Sequence, residues 1–307
     1  MEEFKVHILG CGSANPLGRH LPASQVLGMR GKLFMVDCGE GTQTRLARQG
    51  LHMNRLGHIF ISHVHGDHCF GLPGLVSTMG LLGRSAQLHI HGPRELQPFL
   101  DATLSVFCQQ LTFPVLFHAV DTTVHALVYE DRSLQVYSLP LNHRVPTCGY
   151  LFREREGQRH INRSVTDAYD IPLFALNSIK AGADWTLPDG TLVPNERLTT
   201  PPSPTRSWAY VSDTRVKDDL APLLQGVDLL YHEATFLQAD LFRAKQTYHS
   251  TASEAGRIAR MAHARRLCIG HFSARINTPQ LEHLLLSEAQ AEFPHTLLAD
   301  EGLTLSL

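Results

Sequence analysis

His63-Val64-His65-Gly66-Asp67-His68 follows the apolar run Ile59-Phe60-Ile61. The run reads as a short buried strand, and Gly66 and Gly71 let the backbone turn after it. His63 and His65 are two apart, so from an extended segment both point the same way. Asp67 and His68 come after the turn and point elsewhere, which suits two neighbouring metal ions better than one. Neutral imidazole and carboxylate are ligand types that zinc accepts, and a catalytic zinc keeps one position open for water. The chain holds 19 His. Isolated ones such as His52 and His118 read as ordinary surface or packing residues.

Working outward, other strand ends repeat the pattern. Leu33-Phe34-Met35-Val36 runs into Asp37, Cys38, Gly39 and Glu40, then a helix to about Gln49. Asp37 and Glu40 each read either as an acid behind the metal ligands or as a helix-start acid. Gly10-Cys11-Gly12-Ser13 ends a first strand, as an anion-binding turn or a plain tight one. A helix is expected over Leu72–Leu82 and another over Arg94–Phe107. His89 and His91 read as strand residues with no ligand role. His143 follows the strand from Gln135 to Leu139, where an α/β metallohydrolase needs a third imidazole. A strand beginning at Trp208 ends on Asp213, whose two carboxylate oxygens suit a bridge between ions. His232-Glu233 and His271 end two further strands, and His249 lies just before a helix capped by Ser250 or Thr251.

From Phe152 to Asp184 the composition changes. Arg153, Arg155, Arg159 and Arg163 crowd a hydrophilic piece, followed by Tyr169 to Phe174. The stretch reads as an inserted arm with a basic tip, or as a solvated charged hairpin.

Composition sets outer bounds. Hydrophobic residues at 43% and charged residues at 18% describe a globular protein with a large core. A net charge of −2 points to no general nucleic-acid binder, so any such contact rests on a local patch. The 6 Cys are scattered without a C-x-x-C pair and read as reduced, with Cys69 beside the metal motif open to a second role. No signal peptide or membrane span is expected, which implies a cytoplasmic location.

These segments together resemble the ribonuclease Z family of the metallo-β-lactamase superfamily, in its short bacterial form. The resemblance rests on HVHGDHCFGLPGL from His63, NHRVPTCGY from Asn142, SDTR from Ser212, HEAT from His232, YHST from Tyr248 and GHFSAR from Gly270. It covers nearly the whole length. It implies an α/β fold, a four-layer αββα sandwich over residues 1–307 with a protruding tRNA-binding arm at 152–184. It implies two Zn2+ per chain, one on His63, His65 and His143, the other on Asp67, His68 and His271, with Asp213 bridging. Substrate would be a tRNA precursor, cleaved by phosphodiester hydrolysis to leave a tRNA 3′-hydroxyl and a trailer 5′-phosphate. Asp67 would take a proton from the attacking water. His249, oriented by Glu233, would donate one to the leaving oxygen. The arm arginines would bind tRNA, and the protein would be a homodimer without membrane contact. The alternative is a phosphodiesterase or esterase of the same fold acting on a small substrate. Two stretches depart from the family pattern: Asn15-Pro16-Leu17-Gly18-Arg19-His20-Leu21-Pro22 lacks the usual Lys and Arg-Asn, and Ile171-Pro172-Leu173 stands where the arm often has Gly-Pro.

Overall fold

A computed structural model describes residues 4–15 and 19–307. Pro16, Leu17 and Gly18 of the divergent N-terminal stretch lie outside the described residues. The chain divides into two compact units. The first comprises residues up to Tyr129, Val136–Phe152 and Arg206–Leu307; the second comprises Glu130–Gln135 and Arg153–Thr205.

The strands of the first sheet are β1 (Phe4–Gly10), β2 (Ser24–Met29), β3 (Lys32–Val36), β4 (Leu56–Phe60), β5 (Leu88–Gly92), β6 (Val115–Ala119) and, from the C-terminus, β18 (Thr304–Ser306). Their order is β18-β1-β2-β3-β4-β5-β6. The second sheet holds β7 (Leu127–Glu130), β8 (Leu134–Pro140), β9 (Cys148–Glu154), β14 (Ser207–Val211), β15 (Leu229–Glu233), β16 (Leu267–Gly270) and β17 (Thr296–Leu298). It is ordered β17-β16-β15-β14-β9-β8-β7. β3 to β6 run parallel, as do β14 to β17. Parallel neighbours require crossovers, and helices Thr42–Arg48, Gly71–Leu81 and Leu96–Phe107 make those of the first sheet.

The period of two decides which face each side chain takes. Leu33, Met35, Ile59, Ile61, Leu88 and Ile90 turn outward and pack with Leu46, Leu72, Leu75, Val76, Met79, Leu96 and Leu100 of those helices. Phe34 and Phe60 turn inward against Phe152 of the second sheet. Helices Ala252–Met261 and Pro279–Glu292 pack on each other, and the first of them packs on β15 and β16. The result is the α/β architecture of two large sheets between helices that the motif pattern predicts.

The second unit contains two short strand pairs, β10 (His160–Ile161) with β13 (Thr199–Thr200) and β11 (Trp185–Thr186) with β12 (Leu192–Val193). Ile171, Ala175, Ile179, Val193 and Leu198 form its own core. The unit therefore runs on to Thr205, because Val193 and Leu198 complete that core. Asn195 ties it together: its side-chain amide donates to the carbonyls of Ile179 and Ala183, each at 2.7 Å. Among the described residues no helix is long and apolar enough to cross a membrane.

Candidate metal centre

The C-terminal ends of the parallel strands β4, β14 and β16, with the segment after β8, bring the candidate ligands together, and such strand ends are where open α/β sheets place their sites. His63, His65, His143 and Asp213 each offer one atom within 4.8 Å of the others, and so do Asp67, His68 and His271. Between the groups stands Asp213. Its Oδ2 lies 3.6 Å from His63 Nε2 and 3.9 Å from His143 Nε2. Its Oδ1 lies 3.6 Å from His68 Nε2 and 3.1 Å from His271 Nε2. One carboxylate thus turns an oxygen to each cluster.

The donor set fits metal ions. Nε2 of His68 and of His143 is buried with no hydrogen-bond partner. A buried polar atom without a partner costs about 1–3 kcal/mol, and both atoms face the clusters. His63 Nε2 and His65 Nδ1 are 3.0 Å apart, an edge that two imidazoles sharing one small cation also give.

Four of the five imidazoles, those of His63, His68, His143 and His271, are held from behind in the way metal-ligating histidines are. His68 Nδ1 donates to Asp37 Oδ2 at 2.7 Å, and His143 Nδ1 to the Tyr248 carbonyl at 2.9 Å. His63 Nδ1 is 2.9 Å from Ser62 Oγ, and His271 Nδ1 is 3.0 Å from Thr235 Oγ1. Asp37 also accepts from the Ser62 amide and hydroxyl and from Tyr210 Oη. Of the two acids after β3, then, Asp37 stands behind the ligands, while Glu40 is exposed beside the helix start. Asp37 and His271 have φ of 55° and 60°. Such left-handed backbone is uncommon outside glycine and collects at functional sites. Gly39 lies so close beneath that a Cβ there would sit 2.7 Å from the Asp67 carbonyl.

Electrostatics follow from this crowding. Burial opposes ionisation of Asp213, yet His271, His68 and His63 hold its carboxyl well below the usual range. Burial pushes the His63 imidazole down, and His68 beside it adds to the effect. His249 differs. Burial lowers its pKa, but Glu233, 2.9 Å from Nδ1, outweighs that and raises it to about 9. Glu233 is itself held by the Thr214 amide and the Thr235 hydroxyl. His249 lines a cavity of about 280 Å³ with His65, Asp67, His143, Asp213 and His271.

The structure resolves several open readings. The amides of Cys11, Gly12 and Ser13 already donate to Glu301, Leu21 and Phe272, and Gly12 bridges Pro22 and Phe272 in parallel, so the segment is neither an anion cradle nor a tight turn but bridged extended chain. Cys69 is buried, its thiol pushed up to about 12 by burial, and it donates to the His65 carbonyl. His232 is buried, its Nδ1 donating to the Glu233 carbonyl. Thr251 caps its helix in a reciprocal box with Glu254. Thr235 and Tyr210, unnoticed in the sequence, hold the site from behind; the only hint of Thr235 was its place in HEAT.

In the second unit the four arginines do not form one cluster. Arg155 pairs with Glu130 at 3.2 Å, Arg159 donates to Thr199 Oγ1 at 2.7 Å, and Arg163 faces Asp167 at 3.8 Å. Arg153 is exposed at the end of β9. Arg159 and Arg163, with His160 and Lys180, line a hollow of about 400 Å³.

Comparison with known proteins gives the chain its family. Ribonuclease Z of Bacteroides fragilis is 53% identical over 307 residues, covering 100% of both chains. The chain belongs to the ribonuclease Z family. Ribonuclease Z of Porphyromonas gingivalis is 52% identical, again over 100% of each chain. The crystal structure of the short form of human tRNase Z matches with a TM-score of 0.71 at 27% identity, covering 98% of each chain. A family model described as Anti-Pycsar protein Apyc1 matches residues 4–144. The ribonuclease Z relationship spans both units, including the residues that separate the two halves of the metal centre in sequence.

Proposed function

We infer that the protein is a metal-dependent endoribonuclease that removes the 3′ trailer from tRNA precursors. Full-length identity to ribonuclease Z carries this reading. The two His/Asp clusters supply the chemistry it needs.

His63, His65 and His143 would hold one zinc, Asp67, His68 and His271 a second, with Asp213 contributing an oxygen to each. Bound there, two zinc ions supply Lewis acidity and a nucleophilic water at neutral pH. Asp67 takes the proton of the attacking water. His249 keeps its own proton at neutral pH because Glu233 stabilises the imidazolium. With Nδ1 committed to Glu233, Nε2–H is the proton available to the leaving 3′ oxygen. Products are then a tRNA 3′-hydroxyl and a trailer 5′-phosphate.

A polymeric substrate is supported by a groove of about 860 Å³ that shares His143 and Arg144 with the catalytic cavity and adds Arg94 and Lys217. In the second unit, Arg153, Arg155, Arg159 and Arg163 would grip tRNA phosphates, and the separate local partners of Arg155, Arg159 and Arg163 keep these three apart. The reading carries with it a homodimer, in which one chain's arm serves the other's site, and a cytoplasmic location.

Metal removal tests the proposal. Chelated protein should lose cleavage of a trailer-bearing precursor and regain it with zinc, while His65→Ala should stay inactive at any zinc level. Full activity of protein shown by elemental analysis to hold no metal would overturn it.

A further inference from the structure

The end of β1 carries another convergence of ligand-type side chains, outside the catalytic clusters. Cys11, His20 and Glu301 come from three separate segments, and each offers one atom within 4.8 Å of the others. Cys11 is fully buried and His20 is 5% exposed. Sγ of Cys11 lies 3.3 Å from His20 Nδ1 and 3.5 Å from Glu301 Oε1. Glu301 Oε2 lies 2.9 Å from His20 Nδ1. Tetrahedral zinc with bonds of about 2.0 to 2.3 Å puts sulfur and nitrogen about 3.6 Å apart and nitrogen and oxygen about 3.4 Å apart. The sulfur–nitrogen separation is about 0.3 Å short of its edge and the nitrogen–oxygen separation about 0.5 Å short, so small side-chain shifts would open the site to an ion.

The surroundings orient the same three atoms. Glu282 Oε1 lies 3.1 Å from His20 Nε2, and Arg19 holds the other oxygen of Glu282 at 2.8 Å. Glu282 keeps the proton on Nε2 whether or not an ion is bound, so Nδ1, which donates to Glu301 Oε2 when no ion is there, is the nitrogen free to give up its proton for a cation. This is the carboxylate–histidine–metal arrangement of protein zinc sites. The Leu21 amide donates to Glu301 Oε1 at 2.8 Å and the Cys11 amide at 3.4 Å, so that carboxylate is fixed as well.

We propose that Cys11, His20 and Glu301 bind a structural zinc-class ion separate from the catalytic pair. Water, or Asp300, whose Oδ1 is 3.9 Å from His20 Nδ1, completes the coordination. Binding releases the Cys11 thiol proton and the His20 Nδ1 proton to solvent and leaves the thiolate on the metal. The ion ties the end of β1, the segment around His20 and the C-terminal turn into one piece. That piece supports the catalytic centre. The Cys11 carbonyl accepts from the Phe272 amide at 2.9 Å and the Ser13 amide donates to the Phe272 carbonyl at 3.1 Å, next to His271. Ser13 and Ala14 line the catalytic cavity. Without an ion the same residues form a hydrogen-bonded network, with His20 between two carboxylates.

Cobalt distinguishes the two states, because neither catalytic cluster contains sulfur. The full-length protein, stripped of metal and reloaded with Co2+, should show a thiolate-to-cobalt charge-transfer band in the near ultraviolet. Cys11→Ser should lose that band, and zinc content should fall from about three to about two ions per chain. Cys69→Ser should keep it. Glu282→Gln should weaken cobalt binding at this site by about 10–100-fold. A cobalt-loaded wild-type protein without the band overturns the proposal, and that spectrum requires no variant to fold. A band that survives Cys11→Ser, or unchanged zinc content in that variant, overturns it equally.

Discussion

Asp37→Asn isolates the support behind one metal cluster. The native carboxylate accepts four hydrogen bonds, from His68 Nδ1 and Tyr210 Oη at 2.7 Å, the Ser62 amide at 2.8 Å and the Ser62 hydroxyl at 2.9 Å. Asparagine keeps the shape and one acceptor oxygen. Its amide nitrogen donates, so wherever it meets His68 Nδ1 the imidazole must accept there and carry its proton on Nε2. That is the atom 3.2 Å from Asp67 and 3.6 Å from Asp213, the one that must be bare to hold a cation. Loss of such a supporting acid lowers metal affinity or activity by about 10–100-fold, or about 1.4–2.7 kcal/mol. The loss should fall mainly on the ion held by Asp67, His68 and His271. The other cluster is touched only through Ser62, whose hydroxyl also meets His63 Nδ1. Competition with a chromophoric chelator, resolving the two binding steps, measures this. Both steps unchanged in Asp37→Asn would refute the reasoning.

His249 should hold its proton until pH rises through about 9, so turnover on precursor should fall above that pH. In Glu233→Gln the fall should move toward the ordinary histidine value of about 6.5, with rates at pH 8 down by up to about 30-fold as the protonated fraction drops; an unshifted profile would remove His249 as the donor. Replacing Arg153, Arg155 and Arg163 by Ala should raise KM for precursor sharply and leave kcat and small-diester hydrolysis alone, since phosphate contacts position without reacting. Equal KM at moderate salt would mark the second unit's charge as mere solvation. Burial, then the neighbours His118, His58 and His89, push His91 down to about 2. Its folded form therefore refuses a proton that the unfolded chain takes below about pH 6.5, and this destabilises the fold as pH falls. Relative to its own stability at pH 7.5, His91→Phe should lose about 2 kcal/mol less than the parent at pH 5. Parallel pH profiles in urea unfolding would contradict this.

The site was legible where function sits at strand ends. The candidate ligands His63, His143, Asp213 and His271 each come after a largely apolar strand and stand out from it. The groups holding those ligands were not legible, because hydrogen bonds across sheets leave no local pattern. Tyr210 reads as one more inward strand residue, yet its hydroxyl reaches Asp37, 173 positions away. His89 and His91 read as plain strand residues for the same reason. The register of β4, β5 and β6 sets His58 beside His89 and His91 beside His118, and so brings the diagonal neighbours His91 and His58 to 3.1 Å and His89 and His118 to 2.9 Å. Cys11, His20 and Glu301 were hidden likewise, since the last of them lies 281 residues from His20. In the second unit, composition located the basic stretch. It gave no sign that Val193 and Leu198, beyond the charged segment, close the core under it.

The most direct measurement is the chemistry of the ends. The purified, zinc-loaded protein is incubated with a tRNA precursor carrying a 3′ trailer, and both product termini are mapped. The account predicts one cut that leaves a 3′-hydroxyl on the tRNA and a 5′-phosphate on the trailer, lost on chelation. An intact precursor beside efficient hydrolysis of a small phosphodiester, or a trailer bearing a 5′-hydroxyl, would contradict it.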